Sequence, residues 1–202
     1  MTKMIAALFG SGIIGGNTDK LLTEAIRGAE DAGCTVERIN TAMIKLAPCL
    51  QTFGCMTEPH CYADDNAEQY YKILRSCDGV IIATPVMTYS IPGSLKSFMD
   101  RCQPFYMAKY YRKQPLVSKE HAAIRKMLFI CIGGMDTEEI FIAPKLTVKA
   151  FSNIIDAKYS DELLQNNMDK ILKIENKPDV LKAAYDKGYA LAANIVKARD
   201  SC

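Results

Sequence analysis

Five short apolar runs, each followed by residues at helical spacing, constrain this chain more than any other feature of its sequence. Met4–Phe9 is apolar throughout and stops at glycines, as a strand buried on both faces does. Leu21, Leu22, Ala25, Ile26 and Ala29 then share one helical face, and Gly33 ends it. Cys34–Ile39 reads as a second strand, followed by a loop over residues 40–64 and a helix over Asp65–Ser76. Gly79–Ala83 is a third strand. Ser90 is expected to cap the next helix, with Pro92 in its first turn and Leu95, Phe98, Met99 and Cys102 as its inner stripe. Met127–Ile132 is a fourth strand. A helix over Thr137–Phe151 follows, with Pro144 kinking it or shortening its start. Ile154–Tyr159 is the expected fifth strand, and Pro178 opens a last helix ending near Ala198. Crossovers between parallel strands are right-handed, so the pattern predicts an α/β fold, a parallel sheet with helices on both faces. Ligands of such sheets bind beyond the carboxyl ends of the strands.

Length and composition fit one domain spanning residues 1–202, with a cysteine-bearing loop at about 40–64 and an insertion at about 103–126 inside it. Hydrophobic residues make up 49% of the chain and charged residues 24%, enough for a full core. A net charge of +2, with acids and bases interleaved, predicts no binding to nucleic acid or to an anionic membrane. No apolar run approaches the roughly 18–20 residues of a membrane span, and the first apolar run passes straight into a glycine-rich loop. The expected location is the cytoplasm, where eight cysteines act as thiols, metal ligands or small buried residues. Packing is the default for Cys34, Cys77, Cys102 and Cys131.

Three loops at the carboxyl edge carry unusual residues. The first reads Gly10-Ser11-Gly12-Ile13-Ile14-Gly15-Gly16-Asn17-Thr18. Small residues let backbone N–H groups converge on an anion, and the following helix points its positive end at it. Ser11, Asn17 and Thr18 can add side-chain donors. A plain strand-to-helix turn capped by Asn17 or Thr18 is the bland alternative. Gly10, Gly12 and Gly15 also spell a G-x-G-x-x-G dinucleotide motif, but strand two ends Arg38-Ile39-Asn40 with no acid at its tip to hold a ribose. The second loop begins Thr84-Pro85-Val86-Met87-Thr88-Tyr89-Ser90, where Pro85 stiffens the turn and Val86, Met87 and Tyr89 offer a flat apolar surface. In the third, Gly133-Gly134 lets the backbone approach a ligand closely.

Over nearly its whole length the chain resembles the NADPH-dependent FMN reductase and iron–sulfur flavoprotein group of flavodoxin-like proteins. The resemblance rests on Gly10-Ser11 with Gly16-Asn17-Thr18 and Lys20-Leu21-Leu22, Asp78–Ile82, Thr84-Pro85-Val86, Leu95–Arg101 and Gly133-Gly134, in this order. It implies a flavodoxin-like three-layer sandwich with a five-stranded parallel sheet of order 2-1-3-4-5. It also implies FMN as cofactor, NAD(P)H as co-substrate, and a homodimer or homotetramer. By the same resemblance Ser11, Gly12, Ile13, Gly16, Asn17 and Thr18 would hold the phosphate. Thr84, Pro85, Val86, Met87, Thr88 and Tyr89 would line the flavin ring, and Gly133 and Gly134 would close over its other side. The implied activity is hydride transfer through flavin to a small acceptor: a quinone, free flavin, nitro or azo compound, or metal ion. The alternative is an electron carrier of the iron–sulfur flavoprotein type. No catalytic side chain is expected, since the cofactor carries the chemistry. The phosphate loop departs from the family in having Gly12, Ile13 and Ile14 where a Pro and a basic residue are common.

The cysteine loop departs further. Cys49, Cys55 and Cys61 match three positions of the cluster motif that such flavoproteins use, but the second position is Thr52. Four thiolates are the usual complement of a four-iron cluster, so no metal is expected. The loop is read instead as packing, as a wall of the flavin pocket, or as a subunit contact. Asp100–Arg101 is expected to be a helix-end ion pair and His121 a surface group, while Arg101, Lys109, Arg112 and Lys113 could attract a cofactor phosphate or form solvated faces. Tyr106, Tyr110 and Tyr111 are candidates to cover a pocket or a neighbouring subunit.

Overall fold

The computed structural model describes residues 3–200. Its strands are β1 (Met4–Phe9), β2 (Thr35–Asn40), β3 (Gly79–Pro85), β4 (Lys126–Ile132) and β5 (Lys158–Gln165), all parallel in the order β2-β1-β3-β4-β5. Helices α1 (Asn17–Asp31), α2 (Ala67–Ser76), α3 (Gly93–Arg101), α4 (Gln103–Tyr110), α5 (Lys119–Ile124), α6 (Ile142–Ile154), α7 (Met168–Ile171) and α8 (Pro178–Asp200) surround them. The order is that of a flavodoxin-like fold, with the switch point between β1 and β3.

Strand alternation builds two cores. Ile5, Ala7 and Phe9 of β1, with Ile81 and Ala83 of β3, face Leu21 and Leu22 of α1 and Leu191 and Ile195 of α8. Ala6, Leu8, Val80 and Ile82 face the other way, onto Tyr71, Phe98, Phe105 and Phe151. β1, β3 and β4 are almost wholly buried, so they appear in the sequence as continuous apolar runs. On the first face α1 and α8 meet backbone to backbone at Gly28 and Gly188.

Several sequence expectations shift. The fifth strand is Lys158–Gln165, not Ile154–Tyr159. Ile154 closes α6, and Ile155 is a buried helix cap. β5 is an edge strand with no fully buried residue and a register shift opposite Met127 and Leu128, so its apolar signal is weak. Together with β2, whose Thr35, Glu37 and Arg38 are exposed, it gives the sheet charged flanks. The helix expected over Thr137–Phe151 is a short 3-10 turn, Glu139–Phe141, leading into α6, and Pro144 sits in the first turn of α6, where no intrahelical N–H bond is lost. Ser90 caps nothing. α3 starts at Gly93 after Pro92, and Ser90 instead closes a turn with Met87.

Charged residues also sit differently from expectation. Asp100 pairs with Lys96 at 2.7 Å, one turn earlier. Arg101 is 1% exposed and forks onto Asp65 at 2.5 and 3.0 Å. His121 is no surface group. Its Nε2 lies 3.0 Å from Asp78, a buried carboxylate that also accepts from Met4 N and Arg199. Burial, then Arg125 and Arg199, hold the His121 pKa below its ordinary value. Protonating it is therefore costlier in the folded chain than in the unfolded one. Stability is full above about pH 6.5, the unfolded value, and falls as pH drops through that value toward the lower folded one. His121→Gln, which keeps a donor for Asp78, is expected to flatten this part of the profile in urea melts between about pH 7 and 5.

Candidate functional site

The loops after β1, β3, β4 and β5 converge at the carboxyl edge. Asn17, Pro85, Val86, Gly133 and Gly134 line one open groove of about 380 Å3 there, together with Ile132, Met168, Asp169 and Leu172. Five residues expected from three separate loops thus share one wall. Met168, Asp169 and Leu172, from the loop after β5, had no place in the sequence reading.

Backbone bonds weld this wall. Val86 N donates to Ile132 O at 2.7 Å, Gly133 N to Gln165 O at 2.9 Å, and Met168 N to Gly133 O at 3.0 Å. Gly133 and Gly134 have no room for a side chain, because a Cβ on either would run into Ile140 or the Asp169 carboxylate. Their smallness serves this internal packing as well as the groove. Thr84 is fully buried, and its hydroxyl donates to Pro85 O at 3.0 Å.

Beside the groove, Met87 N donates to Ser90 O and Ser90 N to Met87 O, closing a two-residue turn. Thr88 and Tyr89 occupy the left-handed region at φ 49° and 59°. A β-branched residue rarely adopts that conformation, and such strain gathers where a rigid surface is required. Met87 and Tyr89 are exposed, as are Ile13, Ile14, Met135 and Leu172 around the same edge.

The first loop leaves β1 with Gly10 N bonded to Ala83 O and turns at Gly15, φ 74°. Gly16 precedes α1 in extended conformation, and the first helical bond runs from Lys20 N to Gly16 O. The amides of Asn17 and Thr18 thus belong to the helix's unpaired first turn, the feature that holds anions in strand–glycine–helix turns. Ser11 Oγ accepts from Ile13 N at 3.2 Å, which leaves its proton free to donate. The Asn17 side chain is already engaged: Nδ2 donates to Leu172 O and Oδ1 accepts from Ile174 N. It ties α1 to the loop after β5, so Asn17 can offer an anion its backbone rather than its carboxamide. Lys20 is turned to Glu175. Asp19, 6% exposed, accepts from Gly15 N at 2.5 Å and from Arg38 Nη2 at 2.5 Å.

The loop fits a phosphate through neutral donors and a helix end, and the groove fits a flat ring. Gly16→Val tests the loop. Gly16 has φ −75° and ψ 176°, which valine tolerates, but a Cβ there would lie 3.0 Å from Ile13 Cγ2 and 3.2 Å from Ile13 O. The fold should survive while the loop is pushed open, and if the loop holds the phosphate of the FMN that the resemblance implies, FMN binding should weaken about tenfold or more in a fluorescence titration. Unchanged affinity would place the phosphate elsewhere.

Cys49, Cys55 and Cys61 line a separate cavity of about 420 Å3, with Thr52, Phe53, Tyr62 and Arg101 among its walls. All three are free and half-buried. Arg101 Nη1 donates to Ala47 O and Nη2 to Cys61 Sγ, while Arg112 donates to Cys55 O. The expected solvated arginines are therefore the struts of this loop, and Lys109 likewise pairs with Asp156. Burial pushes the Cys55 thiol pKa up. Among the described residues, no three His, Cys, Asp or Glu side chains gather closely enough to hold a metal ion. Three thiols and a threonine do not fit a four-iron cluster. Cys34, Cys77, Cys102 and Cys131 are buried in the core.

The chain is similar to known proteins in sequence and in fold. A family model described as NADPH-dependent FMN reductase matches residues 4–136. An iron–sulfur flavoprotein of Methanosarcina thermophila is 30% identical over 97 residues, 48% of this chain and 51% of that protein. Another, from Methanocaldococcus jannaschii, is 33% identical over 89 residues, 44% of this chain and 46% of that one. The chain thus spans about half the length of the curated relatives it matches. In fold it is similar to an NAD(P)H:quinone oxidoreductase from Methanothermobacter marburgensis, with TM-score 0.69 and 14% identity over 95% of this chain and 100% of that one. It is also similar to an FMN-dependent NADH-azoreductase from Bacillus anthracis in complex with FMN, with TM-score 0.67, 14% identity and the same coverage. A sheet of order 2-1-3-4-5 thus coincides with a family match over residues 4–136, and the chain, flavodoxin-like in fold, belongs to the NADPH-dependent FMN reductase family.

Proposed function

We propose that the chain holds FMN at this edge and passes two electrons from NAD(P)H to a small acceptor: with an organic acceptor, NAD(P)H, a proton and the acceptor give NAD(P)+ and the acceptor carrying two hydrogens, and with metal ions the two electrons reduce the metal and a proton is released. The observation that carries the reading is the single groove that unites Asn17, Pro85, Val86, Gly133 and Gly134 beside the amino end of α1. FMN, when bound, supplies the hydride chemistry. The residues bind and orient. The backbone amides left free in the first loop, those of Asn17 and Thr18 among them, and the Ser11 hydroxyl hold the phosphate, while Pro85–Tyr89 and Gly133–Gly134 frame the ring and Thr84 stays buried. The strained Met87–Ser90 turn keeps the exposed apolar face of Met87 and Tyr89 fixed. Acceptors of the proposed class are quinones, flavins, nitro or azo compounds, or metal ions.

Stopped-flow mixing of the FMN-loaded chain with NADH and with NADPH tests the reading. At least one should bleach the flavin band within seconds. Flavin that stays oxidised over minutes with both would end the reductase reading. It would favour the electron carrier that the iron–sulfur flavoprotein relatives make the second choice. The exposed Ile13, Ile14, Met87, Tyr89 and Met135 around the groove are proposed to be covered in a homodimer or homotetramer. A fully active monomer by light scattering would refute that. The described residues contain no helix long and apolar enough to cross a membrane, and we place the activity in the cytoplasm.

A further inference from the structure

The first loop carries an electrostatic contradiction. From Gly10 to Thr18 it has no Lys, Arg or His, and the next cation, Lys20, is committed to Glu175. The charged side chain packed against it is an acid: Asp19, a buried carboxylate whose Oδ2 accepts a hydrogen bond from Gly15 N at 2.5 Å. A carboxylate on the third residue of α1 thus occupies one of the donors an incoming anion would use. Left alone, it would repel a phosphate through a poorly solvated gap, where charges act strongly.

Arg38 answers that charge from behind. It sits on β2 opposite Ala7, and its guanidinium lies over the ring of Phe9, 4.5 Å from the centroid. From there Nη2 reaches Asp19 Oδ1 at 2.5 Å. Phe9 is fully buried, so it fixes the platform on which the guanidinium rests. The guanidinium thus meets the first loop through Asp19.

We infer that Arg38 is a positioning and charge-setting residue for the phosphate subsite: by neutralising Asp19 it lets a loop without cations accept a dianion, while Asp19 shapes that loop through Gly15. The inference rests on the proposed FMN reading of the groove and names what sets its preference for the phosphorylated flavin. Two observations carry it independently of any ligand. One is the doubly engaged buried carboxylate, and the other is the arginine fixed over Phe9.

The test is a charge cycle in the full chain, read with FMN and with riboflavin, which lacks the phosphate. Arg38→Met should weaken FMN binding about thirtyfold and change riboflavin binding less than about threefold. Asp19→Asn keeps an oxygen for Gly15 N and should alter FMN binding less than about threefold. Combined with Arg38→Met, it should restore FMN affinity to within about threefold of wild type, because the repelling charge is gone. Melting of the flavin-free variants checks that each folds. Equal losses for both flavins, or no recovery in the double variant, would make Arg38 merely structural and overturn the inference. An Arg38→Met chain that binds FMN as wild type does would overturn it while leaving the site reading intact. A wild-type chain that binds no FMN would remove both.

Discussion

Replacing Gly188 with alanine should lower the stability of this protein by about 3 kcal/mol, although alanine is the better helix former. The residue lies inside α8, where glycine ordinarily costs about 1 kcal/mol relative to alanine. That gain is outweighed by geometry. A Cβ at Gly188 would intrude on the carbonyl of Ala25 in α1, and one at Gly28 would intrude on the carbonyl of Tyr185 in α8. Both obstacles are backbone, which cannot rotate away as a side chain tip can. The helices would have to separate along the contact that buries Leu21, Leu22, Ala25, Leu191 and Ile195. For a domain of this size the melting temperature should fall by roughly 6–12 °C. Gly93→Ala is the control, since a Cβ there meets nothing within 4 Å. A Gly188→Ala protein as stable as wild type would mean that α1 and α8 pack less closely than described.

Arg101→Met should be as damaging, by a different route. Arg101 and Asp65 form a pair in which the arginine is 1% and the acid 12% exposed. Removing one member of a buried pair leaves the other charge unpaired, which costs about 3–5 kcal/mol. The same guanidinium holds Ala47 O and Cys61 Sγ. Its loss should therefore free the cysteine loop, and a disulfide reagent should label Cys49, Cys55 and Cys61 faster while the core cysteines stay protected. Arg101→Lys should not rescue, because an ammonium cannot fork onto Asp65 while reaching Ala47 and Cys61. The hydrogen bond from Arg101 holds the Asp65 carboxyl below its ordinary pKa of 3.8. A depressed acid contributes stability above its unfolded value and loses it as pH falls through the folded one. The gap between wild type and variant should thus be full at neutral pH and close in strong acid. Equal acid titrations of the two proteins would disprove the pairing.

The legible part of the fold was the part buried on both faces. β1, β3 and β4 show themselves as unbroken apolar runs because both sides of each strand meet helices. β5 lies at an edge, so polar residues are tolerated along it, and Ile154 and Ile155 just before it imitate a strand while finishing α6. That displacement hid the loop after β5, and with it Met168, Asp169 and Leu172 of the groove. At the site, glycine density and position after β1 marked the first loop. The partners of Asn17 were invisible because Leu172 and Ile174 lie more than 150 residues away. The Met87–Ser90 turn gave no signal, since Thr88 and Tyr89 are not residues that usually mark left-handed turns. Arg101 was misread because its neighbour Asp100 offered a nearer partner, while the true one closes a loop whose path has no periodicity.

The two flanks of the sheet bear on how the protein behaves in crowded solution. An open strand edge is a template on which another chain can grow a fibre. Here β2 ends the sheet with exposed Glu37 and Arg38, while β5 ends it with Asp161 and Glu162, salt-bridged to Lys187 and Lys145, and a register shift beside them. A foreign strand docking on either flank would have to strip water from these charges and match an uneven ladder. The native chain is thereby protected from cross-β growth, and that protection lasts only while the edges stay folded.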